Sequence, residues 1–252
     1  RSVAVTIVTA GDPVVAEALA VPVMAEGPLP DVLAGVDRDA LARAGYTPTV
    51  GKALAFPSAE QPVRVAVGAG TAADLTIARV RDAAAAFARA VPQDSRLAAA
   101  VPSGVLKAED VAAAIVEGVL LARYEFSLKS VPSGVKPVES IVLVASPGTQ
   151  DAVRAGANRG LATARAAMLG RDLAACPVGL LTASRIAEVA VEVGAEAGVD
   201  VQVYDKAALV DLGCGGLLGV NKGSVEEPRM VVMTYTPPGE PTGHLALVGK
   251  GI

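Results

Sequence analysis

The sequence predicts an α/β protein, because short apolar strands alternate with amphipathic helices along most of its 252 residues. The predicted strands are built from β-branched or small apolar residues, and Gly, Pro, Asp or Ser closes each of them. Strand–helix–strand units of this length need crossover connections, and crossovers imply a substantially parallel sheet covered by helices. At about 150 residues per domain, the chain has room for one or two domains.

Six strands are expected in the first part of the chain. They are Val3–Val8, Ala20–Met24, Ala53–Phe56, Val63–Val67, Leu97–Val101 and Ile141–Ala145. Between the later strands, apolar residues recur at spacings of three and four over Ala73–Val91 and over Glu109–Tyr124, which predicts two amphipathic helices. Ser127–Glu139 lacks such a pattern and is rich in Pro and Gly, so it is predicted to be a loop.

A long helix rich in Ala and Arg is predicted over Thr149–Ala174, and we expect a domain boundary within it or just after it. The later elements are predicted as helix Ala183–Ala197, strand Val201–Tyr204, helix Lys206–Leu212, strand Met230–Tyr235 and strand Leu245–Val248. This order resembles the beginning of a second α/β domain that is not finished within the 252 residues.

The composition excludes several classes of protein. Hydrophobic residues make up 52% of the chain, which excludes a disordered protein, yet only 4 Tyr and 3 Phe are aromatic, so small residues must fill the core. The formal net charge of −4 argues against a strongly basic nucleic-acid surface. Two Cys and one His cannot form a disulfide framework, a four-Cys zinc site or a His-rich metal centre.

The apolar runs are too short to cross a membrane, because a span needs roughly 18 uninterrupted apolar residues. The apolar start of the chain is ended by Gly11, Asp12 and Pro13, and its alternation fits a first strand better than a signal peptide. We therefore expect a cytoplasmic protein without a membrane partner.

The segment Gly68–Ala73 formally matches G-x-G-x-x-A between a strand and a helix. Such a loop can direct backbone N–H groups at a phosphate. However, the acidic residue expected about 20 residues later has no clear counterpart. A tight turn in which Thr71 caps the helix is the favoured explanation.

The single histidine and the two cysteines give weak signals. His244 has no Cys, carboxylate or second His nearby in sequence, so a surface or strand-end position is favoured over a catalytic base. Cys176 and Cys214 lie among small apolar residues, which favours buried, inert thiols.

Glycine clusters mark two segments near the end of the chain. Five glycines lie within Gly213–Ser224, which indicates either close approach or positive φ at several positions, or packing of chain against chain. Lys250 lies between two glycines after the predicted strand Leu245–Val248. Since ligands of open α/β sheets bind beyond the carboxyl ends of strands, Lys250 is a candidate for chemistry, and a solvated lysine is the alternative.

Several segments, in this order, resemble the leucyl aminopeptidase family of two-metal exopeptidases. The matching segments are Glu117-Gly118, Leu121-Ala122 and Tyr124-Glu-Phe126; Gly170-Arg-Asp-Leu173, Pro177 and Leu181-Thr182; Val203–Leu209; Gly213–Ser224; Pro228-Arg229 and Tyr235; and Leu247–Ile252. Ala175 and Gly179 stand where that family usually has Asn. The resemblance covers residues 105–252 in detail and the preceding residues only in layout.

The resemblance implies a macro-like N-terminal α/β domain at residues 1–148, a linking helix at 149–176, and the beginning of a catalytic α/β metallopeptidase domain at 177–252. Family members are hexamers that hold two divalent metal ions (Mn²⁺, Zn²⁺ or Mg²⁺), which activate water to release N-terminal amino acids from peptides. Lys250 matches the metal-ligating lysine of the family. An ammonium group has no lone pair, so this amine must be neutral when it binds a metal.

The resemblance also implies that the remaining ligands follow Ile252 in the family pattern. We therefore expect an aminopeptidase fragment that is inactive alone and whose coding sequence continues. No catalytic residue is assigned and the substrate-binding residues are unknown. Two alternatives remain open: a non-enzymatic macro-like module that binds a nucleotide or DNA, and an assembly domain that associates through exposed strand edges.

Overall fold

The computed structural model describes residues 3–33, 35–102, 104, 106–131 and 133–250. Gly251 and Ile252, which belong to the last matched segment, lie outside these ranges. The chain divides into two compact units, Arg1–Arg171 (unit 1) and Asp172–Ile252 (unit 2), which are described separately. The part of the chain that the structure describes contains no helix long and apolar enough to span a bilayer.

Unit 1 is built on a six-stranded sheet with the order β1-β6-β5-β2-β4-β3. Its strands are β1 (Ala4–Thr9), β2 (Ala18–Met24), β3 (Ala53–Ala55), β4 (Val63–Gly70), β5 (Arg96–Val101) and β6 (Ser140–Ala145). All neighbouring strands run parallel except β3, which pairs antiparallel with β4. The six strands predicted for this region are confirmed within two residues at their starts and three at their ends, and so is the substantially parallel sheet.

Within the described residues, the helices that accompany this sheet are α1 (Arg38–Arg43), α2 (Ile77–Ala90), α3 (Ala108–Ala122) and α4 (Gln150–Ala175). The main core lies between the sheet and helices α2, α3 and α4, where Phe87 and Leu143 are fully buried. A smaller core on the opposite face joins α1 to the sheet through Leu41 and Val21. Side chains of a strand alternate between faces, so β2 contributes to both cores.

Helix α2 begins later than predicted. The prediction places its start at Ala73 with Thr71 as its cap, but α2 begins at Ile77, and Arg79 N donates to Thr76 Oγ1 at 3.3 Å. The Thr71 hydroxyl instead donates to Asp74 Oδ2 at 3.0 Å and accepts from Asp74 N at 3.3 Å. This local turn competes with the helix for the same backbone, and the capping prediction for Thr71 is wrong.

The helices of unit 1 pack at backbone contact where glycine replaces a side chain. A Cβ at Gly156 of α4 would lie 2.0 Å from the Glu109 carbonyl oxygen of α3. A Cβ at Gly118 of α3 would lie 2.3 Å from the Arg81 carbonyl oxygen of α2. A chain with few aromatics therefore closes its core by bringing small-residue helices together.

Unit 2 contains helix α5 (Ala183–Ala197), strand β7 (Asp200–Tyr204), helices α6 (Lys206–Asp211) and α7 (Gly215–Asn221), and strand β8 (Met230–Thr234). Strands β7 and β8 form an antiparallel pair. Gly198 ends α5 in the left-handed conformation at φ +67°, which glycine adopts without strain. Four of the described residues of unit 2 are buried: Ala187, Gly194, Leu209 and Pro228.

The predicted strand Leu245–Val248 is wrong. These residues form neither helix nor strand, and Leu245, Leu247 and Val248 are 86%, 88% and 98% exposed. An apolar run becomes a strand only when a partner satisfies its backbone N–H and C=O groups, and no part of the described chain pairs with this one.

Candidate functional site

Lys250 lies in an irregular segment that follows β8. No helix or strand is present between Tyr235 and Lys250, and the Lys250 side chain is exposed. Lys250 does not follow the carboxyl end of a strand, because Leu245–Val248 is not a strand. What distinguishes Lys250 is therefore its position in the sequence pattern and not its surroundings in this structure.

The residues present do not fit a metal centre by themselves. Over the described ranges, no group of three or more His, Cys, Asp or Glu side chains is arranged to hold a metal ion. A divalent cation needs several such donors, and Lys250 can supply only one. The sequence prediction of a metal site at Lys250 thus concerns a single ligand.

The glycine cluster Gly213–Ser224 has an unexpected structure. Gly213 has φ +69° and ends α6, so positive φ explains one of the five glycines. The next three belong to α7, where a Cβ at Gly215, Gly216 or Gly219 would meet nothing within 4 Å. Close packing within this chain therefore does not explain why these three positions are glycine. Because they have no side chain, the helical backbone of α7 is exposed at the surface of unit 2.

The Gly68–Ala73 segment does not form a phosphate-binding turn. Gly68 and Gly70 lie within β4, and six residues separate Gly70 from the start of α2. A Cβ at Gly68 would lie 2.1 Å from the Thr49 carbonyl oxygen, and Gly70 has φ +74°. Both glycines are accounted for by packing and by backbone conformation.

His244 and the two cysteines remain outside any cluster. His244 is exposed, as predicted, but it does not adjoin a strand. Cys176 and Cys214 are free thiols of intermediate burial, so the prediction that both thiols are buried is wrong.

Among the charged residues of unit 1 that the structure describes, Arg123 is the most buried, and no sequence pattern indicated it. It is 9% exposed, and its two terminal nitrogens donate to the carbonyl oxygens of Ala88, Val91, Pro92, Asp94 and Lys136. Burial lowers the pKa of the guanidinium, with the Asp94 carboxylate opposing that effect. Arg123 occupies a variable position in the matched E-G-x-x-L-A-x-Y-x-F pattern, so the motif gives no signal for it.

The described part of unit 1 also has a cavity of ≈ 280 Å³ between the sheet and helices α2 and α3. It lies beside the carboxyl-terminal half of β2, and Pro22 of that strand lines it. A proline inside a predicted central strand was the available sequence signal, because proline cannot donate to the ladder.

Two family models match the chain in order. The cytosol aminopeptidase family, N-terminal domain, matches residues 21–130, and the cytosol aminopeptidase family, catalytic domain, matches residues 168–252.

Curated relatives carry the same family name. A "Probable cytosol aminopeptidase" of Streptomyces griseus is 38% identical over 234 residues, which cover 84% of this chain and 44% of the relative. A protein of the same name from Chlorobaculum tepidum is 39% identical over 155 residues, 58% of this chain and 31% of the relative. The chain thus spans less than half the length of these curated relatives.

Solved structures agree with the fold. The bottromycin maturation enzyme BotP in complex with Mn is 34% identical, with a TM-score of 0.74 over 89% of this chain and 46% of that one. A tomato leucine aminopeptidase mutant has a TM-score of 0.81 at 19% identity, over 95% of this chain and 52% of that one, and shows the fold alone.

Proposed function

Since the chain belongs to the cytosol aminopeptidase family, we propose that it forms part of a metal-dependent aminopeptidase that releases N-terminal amino acids from peptides. The observation that carries this proposal is the ordered match of both family domains, at residues 21–130 and 168–252. The BotP complex with Mn supports a divalent metal as the cofactor.

We propose two divalent metal ions, Mn²⁺ or Zn²⁺ with Mg²⁺ as the alternative, and Lys250 as one of their ligands. Bound metal ions would polarise the scissile carbonyl and lower the pKa of the attacking water. The chain's own donors are insufficient, because the described residues hold no cluster of metal-binding side chains. We therefore propose that the other ligands come from the family segment that this chain does not cover.

The direct test of activity compares two proteins. We expect the 252-residue chain with Mn²⁺ to leave leucyl-p-nitroanilide unhydrolysed, and a protein extended to the length of the curated relatives to hydrolyse it. Reading the coding sequence past Ile252 supplies that extension. A stop codon directly after Ile252, or an extended protein without peptidase activity, would defeat the proposal.

The role of Lys250 is tested in the extended protein with Lys250→Ala, and Lys222→Ala is the matched control because Lys222 is also exposed. Losing a partner that only orients a metal ligand costs about 10–100-fold in metal affinity or activity, so losing a ligand should cost at least that. We expect metal content, measured by mass spectrometry, and turnover to fall together for Lys250→Ala. Unchanged hydrolysis in that variant would refute the assignment.

We further propose a homo-hexamer in the cytoplasm that acts on peptides, with residues 1–148 as the N-terminal domain, 149–176 as the linking helix and 177–252 as the first part of the catalytic domain. The name of the curated relatives supports the location, and the family resemblance supports the assembly. A molar mass of six subunits in light scattering of the extended protein is the expected result.

The nucleotide- or DNA-binding module remains the alternative function, and no observation favours it. Its supporting feature was the Gly68–Ala73 segment, whose glycines are explained by β4. Titration with ADP-ribose and with duplex DNA at low salt tests it directly.

A further inference from the structure

The ≈ 280 Å³ cavity of unit 1 is bounded mainly by apolar side chains, many of them alanines. Its sheet side includes Ala20, Val67 and Ala99 of β2, β4 and β5, and its helix side includes Ala83 and Phe87 of α2. Protein interiors are normally close-packed, with few voids larger than a water molecule. A concave apolar space of this size in an otherwise packed domain has the character of a small-molecule site.

The strand pairing explains why the cavity is open at this point. Strand β2 pairs with β4 along its whole length, but its pairing with β5 ends where Ala20 lies opposite Ala99. Pro22 follows two residues later and has no N–H to donate to a neighbouring strand. Strands β2 and β5 therefore separate toward their carboxyl ends, and Pro22 and Pro102 line the cavity beside the separation.

The same place is the switch point of the sheet topology. After β2 the chain leads to α1, which packs with Val21 and Val23 on the face opposite the cavity. After β5 it leads to α3, whose Val111 and Ile115 pack on the cavity side. In open α/β sheets, ligands bind outside the carboxyl ends of the strands at such a point. Cavity and topology thus indicate one location independently.

Among the lining residues that the structure describes, only Arg79 is charged. Its Nη1 lies 3.3 Å from Asp74 Oδ2, and its side chain is 42% exposed. A Cβ at Gly70 would lie 3.9 Å from the same nitrogen, so the guanidinium is beside the end of β4. A guanidinium has five N–H donors, and the contact with Asp74 uses one of its nitrogens, which leaves capacity to bind an anion at the edge of the cavity.

We propose that this cavity binds a small molecule with a branched aliphatic body and a single carboxylate, which Arg79 holds. A cavity of about 150 Å³ accepts benzene, so ≈ 280 Å³ suits a body of about six to twelve non-hydrogen atoms. The lining side chains other than Arg79 are apolar, which disfavours a nucleotide, because its base and phosphates would lose their hydrogen bonds to water. Free branched-chain acids have the required chemistry, and apolar amino acids share it because the Asp74 carboxylate beside Arg79 would accept their ammonium group.

Isothermal titration calorimetry of the 252-residue chain tests the proposal without any activity measurement. The probes are 4-methylpentanoate, L-leucine, the neutral 4-methylpentanamide and ADP-ribose. We expect at least one of the two carboxylates to bind with 1:1 stoichiometry, about tenfold more tightly than the amide, because a charged hydrogen bond is gained. Tighter binding of 4-methylpentanoate identifies a free acid as the ligand, and tighter binding of L-leucine identifies an amino acid. Binding of neither carboxylate, or of ADP-ribose in their place, overturns the proposal.

Paired variants on α2 locate the binding. Ala83→Leu fills the cavity and should abolish binding, whereas Ala78→Leu, at an exposed position of the same helix, should retain it. Arg79→Gln should remove the tenfold preference for the carboxylate over the amide, and Arg89→Gln, also exposed, should keep it. Circular dichroism checks that each variant is folded. Wild-type affinity in a folded Ala83→Leu variant, or an unchanged preference in Arg79→Gln, contradicts the assignment.

Discussion

Arg123 is the residue on which three segments of unit 1 converge. Its guanidinium donates to five backbone carbonyl oxygens. Ala88 and Val91 lie at the end of α2, where a cation also complements the helix dipole. The other three carbonyls belong to Pro92, Asp94 and Lys136, so one side chain fixes two irregular segments to a helix end.

We expect Arg123→Met to lower the free energy of unfolding by about 2–4 kcal/mol, because it removes the charged donor of five hydrogen bonds, of which those to the Ala88 and Val91 carbonyl oxygens are buried. Urea unfolding followed by circular dichroism measures the loss. Arg89→Met is the control, since Arg89 is exposed on α2 and should change stability by less than about 0.5 kcal/mol. Equal stability of the two variants would contradict this role for Arg123.

Glu17 is a second residue that joins distant segments. Its Oε2 accepts from the backbone N–H groups of Ser95 at 2.6 Å and Arg96 at 3.0 Å. The hydrogen bond from Arg96 N, followed by that from Ser95 N and the charge of Arg96, holds the pKa of Glu17 below its ordinary value, against the effect of burial. A carboxylate with a depressed pKa stabilises the fold above its unfolded-state pKa, and this contribution is lost as the pH falls through the folded-state pKa.

Glu17→Gln should therefore cost about 1–2 kcal/mol at pH 7, where the carboxylate accepts two backbone hydrogen bonds. The difference from the wild type should shrink as the pH falls below the pKa of Glu17, because the wild-type carboxyl is then protonated. Urea unfolding at pH 7 and at a series of lower pH values follows this change, with Glu60→Gln at an exposed position as the control. A difference independent of pH would disprove the electrostatic explanation.

At the scale of elements, helix packing depends on glycines whose role the periodicity did not predict. Gly156 and Gly160 of α4 lie against α3, where a Cβ would come 2.0 Å from the Glu109 carbonyl oxygen and 2.6 Å from that of Ala113. Gly170 is on the same helix, and a Cβ there would meet nothing within 4 Å. The helix thus contains two glycines that packing requires and one that it does not.

Gly156→Ala should destabilise unit 1 by at least about 2 kcal/mol, because the added methyl group forces two helices apart at backbone contact. Gly170→Ala should instead stabilise it by about 0.5–1 kcal/mol, since alanine loses less backbone entropy in a helix. Thermal unfolding of both variants measures the difference. If both variants shifted the unfolding temperature in the same direction, close packing of α3 against α4 at Gly156 would not limit the stability of unit 1.

At the scale of the whole molecule, the two units differ in how much of their apolar surface they bury. Unit 1 contains the large core, whereas in unit 2 Leu217, Val220, Met233 and Tyr235 are 43%, 72%, 46% and 63% exposed. Apolar residues exposed in such numbers on one small unit are typical of a surface that another polypeptide covers.

We expect the 252-residue chain to self-associate, so that light scattering gives a mass above the 25.1 kDa of one chain. Val220→Asp should reduce the association by charging an exposed apolar position of unit 2. Val15→Asp, at a position of unit 1 that is 76% exposed, should have little effect. A monodisperse monomer of the unmodified chain would contradict the expectation.

The sequence was sufficient for most elements of unit 1 because their signals are local. Alternation and closing residues locate the strands, and spacings of three and four locate α2 and α3. Their order along the chain also predicts the parallel sheet, since crossovers leave few topologies. The candidate site was harder to predict from the sequence. Lys250 was identified by the resemblance of its segment to a family pattern, and its role as a ligand stays a prediction.

The tertiary structure decided what depends on partners far apart in sequence. Leu245–Val248 is apolar enough for a strand but lacks a partner, and Gly156 is essential only because α3 passes at that point. The cavity likewise exists because the pairing of β2 with β5 ends near Pro22, where apolar side chains from several elements come together. Local sequence sets the conformational preferences of each segment, whereas hydrogen-bond partners and excluded volume are properties of the assembled fold.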